Sequence, residues 1–110
     1  MNIVRHVEDA DSVRLALAGE LDSSTVDRLH LHVKQELAAQ PLARRLVIDL
    51  ADTTFCDSTG VGALIESHDA AAGCGVAFLV INPSGMTRTV MDVTGVLSVL
   101  TEAEEGREPR

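Results

Sequence analysis

Two short runs constrain the fold more than anything else in this chain: Leu46-Val47-Ile48-Asp49-Leu50 and Val76–Ile81, both nearly all apolar and rich in β-branched residues. A strand with apolar side chains on both faces has to be covered on both faces, as in a parallel sheet clad with helices. The intervening segment has the helical period. Val61, Leu64, Ile65 and His68 fall on one side of a helix predicted from about Ser58 to Ala72, which Gly73 and Gly75 stop. Strand, helix and strand in that order form a βαβ unit, whose crossover is right-handed.

The flanking segments extend the pattern. Asn2–Val7 and Val13–Ala18 read as strands around a Glu8-Asp9-Ala10-Asp11 turn, and Arg14 between Val13 and Leu15 marks a sheet with one wet face. After a turn at Gly19-Glu20-Leu21-Asp22, Ser24 and Asp27 have the spacing of a capping box. Val26, Leu29, Val33 and Leu37 then form one apolar stripe, and Pro41 is expected to end that helix near Gln40. Past Val76–Ile81 the turn Asn82-Pro83-Ser84-Gly85 leads to a helix over about Ser84–Val93, with Met86, Val90 and Met91 as core, and to a short strand at Leu97–Leu100. The order β-β-α-β-α-β-α-β describes a single α/β domain over residues 1–101, with a mixed, mostly parallel sheet. Residues 102–110 read as a charged, frayed tail.

Size and charge narrow the function. A chain of 110 residues buries enough surface to fold without a disulfide or metal. Acidic residues outnumber basic ones 17 to 9, a formal charge of -8, which disfavours nucleic acid and anionic membranes and favours a protein partner with a basic face. No segment has the length of a membrane span, and the N-terminal residues lack the apolar run of a secretory signal. A cytoplasmic protein is therefore expected. Cys56 and Cys74 lack metal or redox spacing and read as two reduced, buried thiols.

The informative stretch runs from Leu46 through Asp57-Ser58-Thr59-Gly60-Val61-Gly62 to Leu64. A buried strand delivers Asp57-Ser58 through a short loop to a helix start, beyond the carboxyl ends of the strands, where sites cluster in open α/β sheets. Unpaired N–H groups and the helix dipole favour negative charge there. Taken alone, Asp-Ser before a helix reads as a simple N-cap. Gly60 and Gly62 suit a tight turn and close helix–sheet packing, and no lysine follows to make a phosphate loop.

Over about residues 13–100 the chain resembles the STAS family, the sulfate transporter and anti-sigma factor antagonist domains. Three stretches in order carry the likeness: Leu17-Ala18-Gly19-Glu20-Leu21-Asp22, Leu46–Leu50 continuing through Phe55-Cys56-Asp57-Ser58-Thr59-Gly60 to Leu64, and Val80-Ile81-Asn82-Pro83-Ser84 through Thr94-Gly95. Cys56 replaces the family's usual aliphatic residue. The resemblance implies an anti-sigma factor antagonist that is phosphorylated on Ser58 by the anti-sigma factor, itself a serine/threonine kinase. Unphosphorylated, such an antagonist binds the kinase and frees its sigma factor. The implied docking surface comprises Asp22, Ser23, Asp57, Ser58, Thr59 and Gly60, with Thr59 a secondary acceptor. A monomer, or at most a weak dimer, without cofactor or metal is expected. Two other roles share the fold: a scaffold subunit of a stress-sensing complex, and an accessory subunit of a lipid-transport ATPase machine.

Enzymatic readings are weaker. Ser58 lacks the Gly-x-Ser-x-Gly elbow of a nucleophile, and His68, ten residues along the same helix, is too far to act as its base. His30 and His32 do not face each other and make no metal pair, and His6 and His68 read as solvated or core-edge groups. Asp49 within a buried strand must lie near the sheet end or be hydrogen-bonded, and the family resemblance implies a structural role for it. No phosphate loop supports a nucleotide-using enzyme.

Overall fold

A computed structural model describes residues 1–83. They form β1 (Asn2–Asp9), β2 (Ser12–Leu21), α1 (Val26–Leu37), β3 (Arg45–Cys56), α2 (Ser58–Gly73) and β4 (Ala77–Ile81). The third helix, the last strand and the tail expected from the sequence lie outside the described residues.

The strands lie in one sheet in the order β1-β2-β3-β4. β1 runs antiparallel to β2, while β2–β3 and β3–β4 are parallel. The mixed sheet expected from the hairpin and the crossovers is thus present. Leu15 and Leu17 of β2, Leu46, Ile48 and Leu50 of β3 and Phe78 and Val80 of β4 join Leu29 and Val33 of α1 and Val61 and Leu64 of α2 in one buried cluster. Each such side chain withdrawn from water contributes about 1.5–3 kcal/mol. Together they fix which face of the sheet the helices cover.

The opposite face carries a polar chain. Arg14 contacts Glu8 at 2.9 Å and Asp49 at 3.0 Å, and Asn82 Nδ2 donates to Asp49 at 2.9 Å. Asp49 also accepts the Ala51 N–H at 3.0 Å. Burial pushes the Asp49 carboxyl up, but the Asn82, Ala51 and Arg14 contacts more than reverse this and hold it below the usual carboxylate range. Asp49 therefore ties neighbouring strands together, hydrogen-bonded as its position allowed and structural as the family resemblance implied. Asn82 takes a left-handed φ of 60° to make its contact, a conformation that Asn tolerates better than most residues.

Helix boundaries depart from expectation. The capping box of Ser24 and Asp27 does not form, because Asp22 Oδ1 captures both the N–H and the hydroxyl of Ser24, at 2.9 and 2.7 Å. The cap position passes to Thr25 and α1 starts at Val26. At its other end α1 stops at Leu37, before the Gln40 expected from Pro41, as Ala38 and Ala39 tighten onto the carbonyls of Gln35 and Glu36. Gly75, with φ +75°, ends α2 in a left-handed cap. The Val76 N–H reaches the Ala71 carbonyl at 2.9 Å and the Gly75 N–H the Ala72 carbonyl at 3.1 Å. Cys56 is buried as expected, but Cys74 at this helix end is exposed.

The largest departure concerns the expected loop after Leu50. β3 continues to Cys56 and β2 to Leu21, so the Gly19–Asp22 stretch is mostly strand. Ala16 and Ala18 pair with Asp49 and Asp52, and Gly19 and Glu20 with Thr53 and Phe55. β3 thus carries an extra residue at each of two bulges, which reset its inside–outside alternation. Thr53 is consequently buried, with Oγ1 donating to the Leu17 carbonyl at 3.1 Å. Gly19 takes φ +107° at the second bulge, where other residues would be strained.

Candidate functional site

The paired ends of β2 and β3 form the rim of the site. Leu21 is in register with Cys56, and the Asp57 N–H reaches the Leu21 carbonyl at 3.4 Å. Two loops therefore leave the sheet side by side, Asp22–Thr25 leading to α1 and Asp57 leading to α2. Within the first loop the Ser24 hydroxyl and N–H, both bonded to Asp22, lower its carboxyl pKa. Thr25 Oγ1 accepts the Asp22 N–H and donates to the Glu20 carbonyl, both at 2.9 Å. Ser23 and Ser24 are exposed. The structure thus brings Asp22 and Ser23 beside Asp57 and Ser58.

At the start of α2 the Asp-Ser pair is divided. Asp57 is the N-cap, and its Oδ1 accepts the Gly60 N–H at 2.9 Å. Ser58 is the first helical residue and is exposed, as is Thr59. The hydroxyl of Ser58 is therefore not the group that caps the helix, and it stands where α2 presents unpaired N–H groups. The capping role expected of the Asp-Ser pair is thus filled by Asp57, and the Ser58 side chain takes no part in it.

Gly60, expected in the docking surface, is instead buried and supports the site from below. A Cβ on it would come within 2.5 Å of the Leu21 carbonyl oxygen and 2.9 Å of Cys56 Sγ. Only a glycine lets α2 approach the end of β2 so closely. Gly62 has no such role among the described residues, none of which comes within 4 Å of a Cβ placed there. Cys56, beneath Gly60, has its thiol pushed up to about 11 by burial and by the Asp57 charge, so it stays protonated and unreactive at neutral pH.

Among the described residues no group of His, Cys, Asp and Glu could hold a metal ion, and no helix is long and apolar enough to cross a membrane. His68 lies edge-on to Phe78 at 6.0 Å, and His30 pairs with Glu66 at 3.2 Å. Neither imidazole belongs to the rim.

The family described as "Mlab, STAS domain" matches residues 4–102. The chain belongs to the STAS family. The anti-sigma factor antagonist SpoIIAA in its unphosphorylated form shares its fold at a TM-score of 0.74 and 21% identity, over 87% of this chain and 83% of that one. A sulfate transporter family protein from Wolinella succinogenes gives 0.74 at 18% identity, over 88% and 77%. An anti-sigma factor antagonist from Mycobacterium paratuberculosis gives 0.68 at 26%, over 90% and 83%. The α/β architecture read from the sequence is thus that of STAS domains.

Two features of this STAS domain have no counterpart in the sequence reading. One is the ion pair of Arg5 on β1 with Glu36 on α1, which leaves the Glu36 side chain 10% exposed. The only signal for it was an acidic residue beside the apolar stripe at Val33 and Leu37. The other is the position of Phe55, which projects from the rim 40% exposed. It falls in the stretch expected as a loop after Leu50, whereas it lies within β3 beside the inward-facing Cys56.

Proposed function

We propose that this STAS domain is an anti-sigma factor antagonist controlled by phosphorylation of Ser58. Unphosphorylated, it binds an anti-sigma factor serine kinase through Asp22, Ser23, Asp57, Ser58 and Thr59, which releases the sigma factor. Phosphorylation by the same kinase reverses the binding. The observation that carries this reading is the division of labour at α2: Asp57 caps the helix, leaving Ser58 exposed on the rim and open to modification.

The charge change is large enough for a switch. A phosphate adds about -1.5 to -2 charges. Against one carboxylate of a partner about 6 Å away, at an effective dielectric near 20, each unit costs about 3 kcal/mol. About 2.7 kcal/mol already weakens binding roughly 100-fold. The likeness to two anti-sigma factor antagonists supports this role.

A second reading is an accessory subunit of a lipid-transport ATPase machine, docking through the same rim; the matched family is described as a STAS domain without mention of a sigma factor. Affinity capture followed by mass spectrometry, with wild type, Ser58→Ala and Ser58→Glu, separates the two. A serine kinase retained by wild type and Ser58→Ala and lost by Ser58→Glu is the expected result. Equal retention of the kinase by Ser58→Ala and Ser58→Glu refutes the switch, and recovery of a transport ATPase in its place establishes the second reading.

A further inference from the structure

Phe55 is one of two phenylalanines in a chain without tryptophan or tyrosine, and it is the one left in water. Phe78 is 2% exposed in the core, whereas Phe55 is 40% exposed. Its direction is fixed by the bulge between Thr53 and Phe55 and by the inward turn of the adjoining Cys56, which is 1% exposed. Phe55 pairs in register with Glu20, also exposed, so the two occupy neighbouring places on the outer side of the rim. Asp52, likewise exposed, precedes it on the same strand, and Asp57 follows it. An aromatic ring flanked by carboxylates matches the composition of an interface centre within a charged rim.

We infer that Phe55 is the apolar anchor by which this domain docks on its partner, entering an apolar pocket bordered by Lys or Arg side chains that face Glu20 and Asp52. The inference rests on the kinase-binding reading and adds a separation of roles. Phe55 supplies affinity in either phosphorylation state, while Ser58 supplies only the difference between states. The two residues stand on opposite sides of one rim, Phe55 at the outer sheet face and Ser58 at the start of α2. The partner is committed by charge: the flanking groups are acidic and the chain carries a formal charge of -8, so the complementary surface is basic.

The test is titration calorimetry of the purified cognate anti-sigma factor kinase against wild type, Phe55→Ala, Phe55→Leu and Glu20→Lys. Phe55→Ala and Phe55→Leu are measured with Ser58 intact and combined with Ser58→Glu. Loss of an anchoring aromatic weakens binding at least about 30-fold, and leucine restores most of it. The ratio of affinities between the Ser58 and Ser58→Glu forms is expected to be the same in the Phe55→Ala background as in wild type. Glu20→Lys is expected to weaken binding about 10-fold and to flatten its salt dependence without disturbing any buried group. Kinase affinity of Phe55→Ala within about 3-fold of wild type, or of Glu20→Lys unchanged in strength and salt dependence, overturns the anchor while leaving the kinase-binding reading intact. No binding of the kinase by wild type overturns both.

Discussion

Gly60 and Gly62 are two residues apart in one helix, yet alanine should act on them with opposite sign. At Gly60 the added Cβ meets the Leu21 carbonyl oxygen at 2.5 Å, Cys56 Sγ at 2.9 Å and Leu21 Cγ at 3.0 Å. The oxygen belongs to the backbone of β2 and accepts the Asp57 N–H, so it cannot rotate away. The first turn of α2 has to lift off the sheet. Such overpacking costs about 1–3 kcal/mol, against which alanine's helix preference returns about 1 kcal/mol. Because the helix start carries the Asp57 cap, part of that hydrogen bond is lost as well, which places the net destabilisation at about 1–2 kcal/mol. A domain of this size then melts about 4–15 °C lower. Gly62→Ala meets nothing within 4 Å among the described residues and there retains the helix preference alone, so its melting temperature is expected to rise by about 4–8 °C. Thermal melts followed by circular dichroism on both variants decide the matter. A Gly60→Ala protein that melts at or above wild type refutes the close approach of α2 to β2.

Phosphorylation of Ser58 should leave stability nearly unchanged: the helix dipole offers about 0.3–1 kcal/mol, partly cancelled by Asp57, so both forms melt within about 5 °C by circular dichroism. A fall of 15 °C or more would mean that the modification acts by unfolding the domain. Asp49 has its carboxyl pKa lowered in the folded state, so its contribution is complete above the unfolded value near 3.9 and is lost as pH falls through the lower folded value. Urea titrations should accordingly show Asp49→Asn less stable than wild type at pH 7, with the gap closing at acidic pH; a gap that widens on acidification contradicts the assignment. Ellman's reagent at pH 8 should label the exposed Cys74 promptly and the buried Cys56, with its thiol pushed up to about 11, only on unfolding.

The sequence was legible where one period holds without interruption. Val76–Ile81 and the stripe of Leu29 and Val33 read directly, since each places its side chains by a single repeat. The parallel pairing of β2 with β3 and of β3 with β4 followed from the βαβ connections. Beyond Leu50 the reading faltered, because a bulge shifts the period without a compositional mark: Asp52-Thr53-Thr54 looks like a loop, but it lies within β3. The start of α1 was missed for a related reason. Ser24 and Thr25 are equally good caps by composition, and the choice was made by Asp22, whose carboxylate took Ser24 for itself. At the rim, Asp57 and Ser58 were identified by likeness to a family, but which of them caps α2 depends on a hydrogen bond that no residue pattern reports. Glu36 and Arg5 lie far apart in the chain and meet only after folding.

The two bulges of β3 make it, in effect, two strands spliced end to end. The first half, Arg45–Leu50, follows the alternation dictated by the core; the first extra residue shifts it, so that Thr53 turns inward, and the second restores it for Phe55 and Cys56. Changes in the distal half therefore do not propagate as a slip into the proximal one. Selection or a designer can revise the rim residue by residue, altering which partner it meets, while Leu46, Ile48 and Leu50 keep their places under the helices.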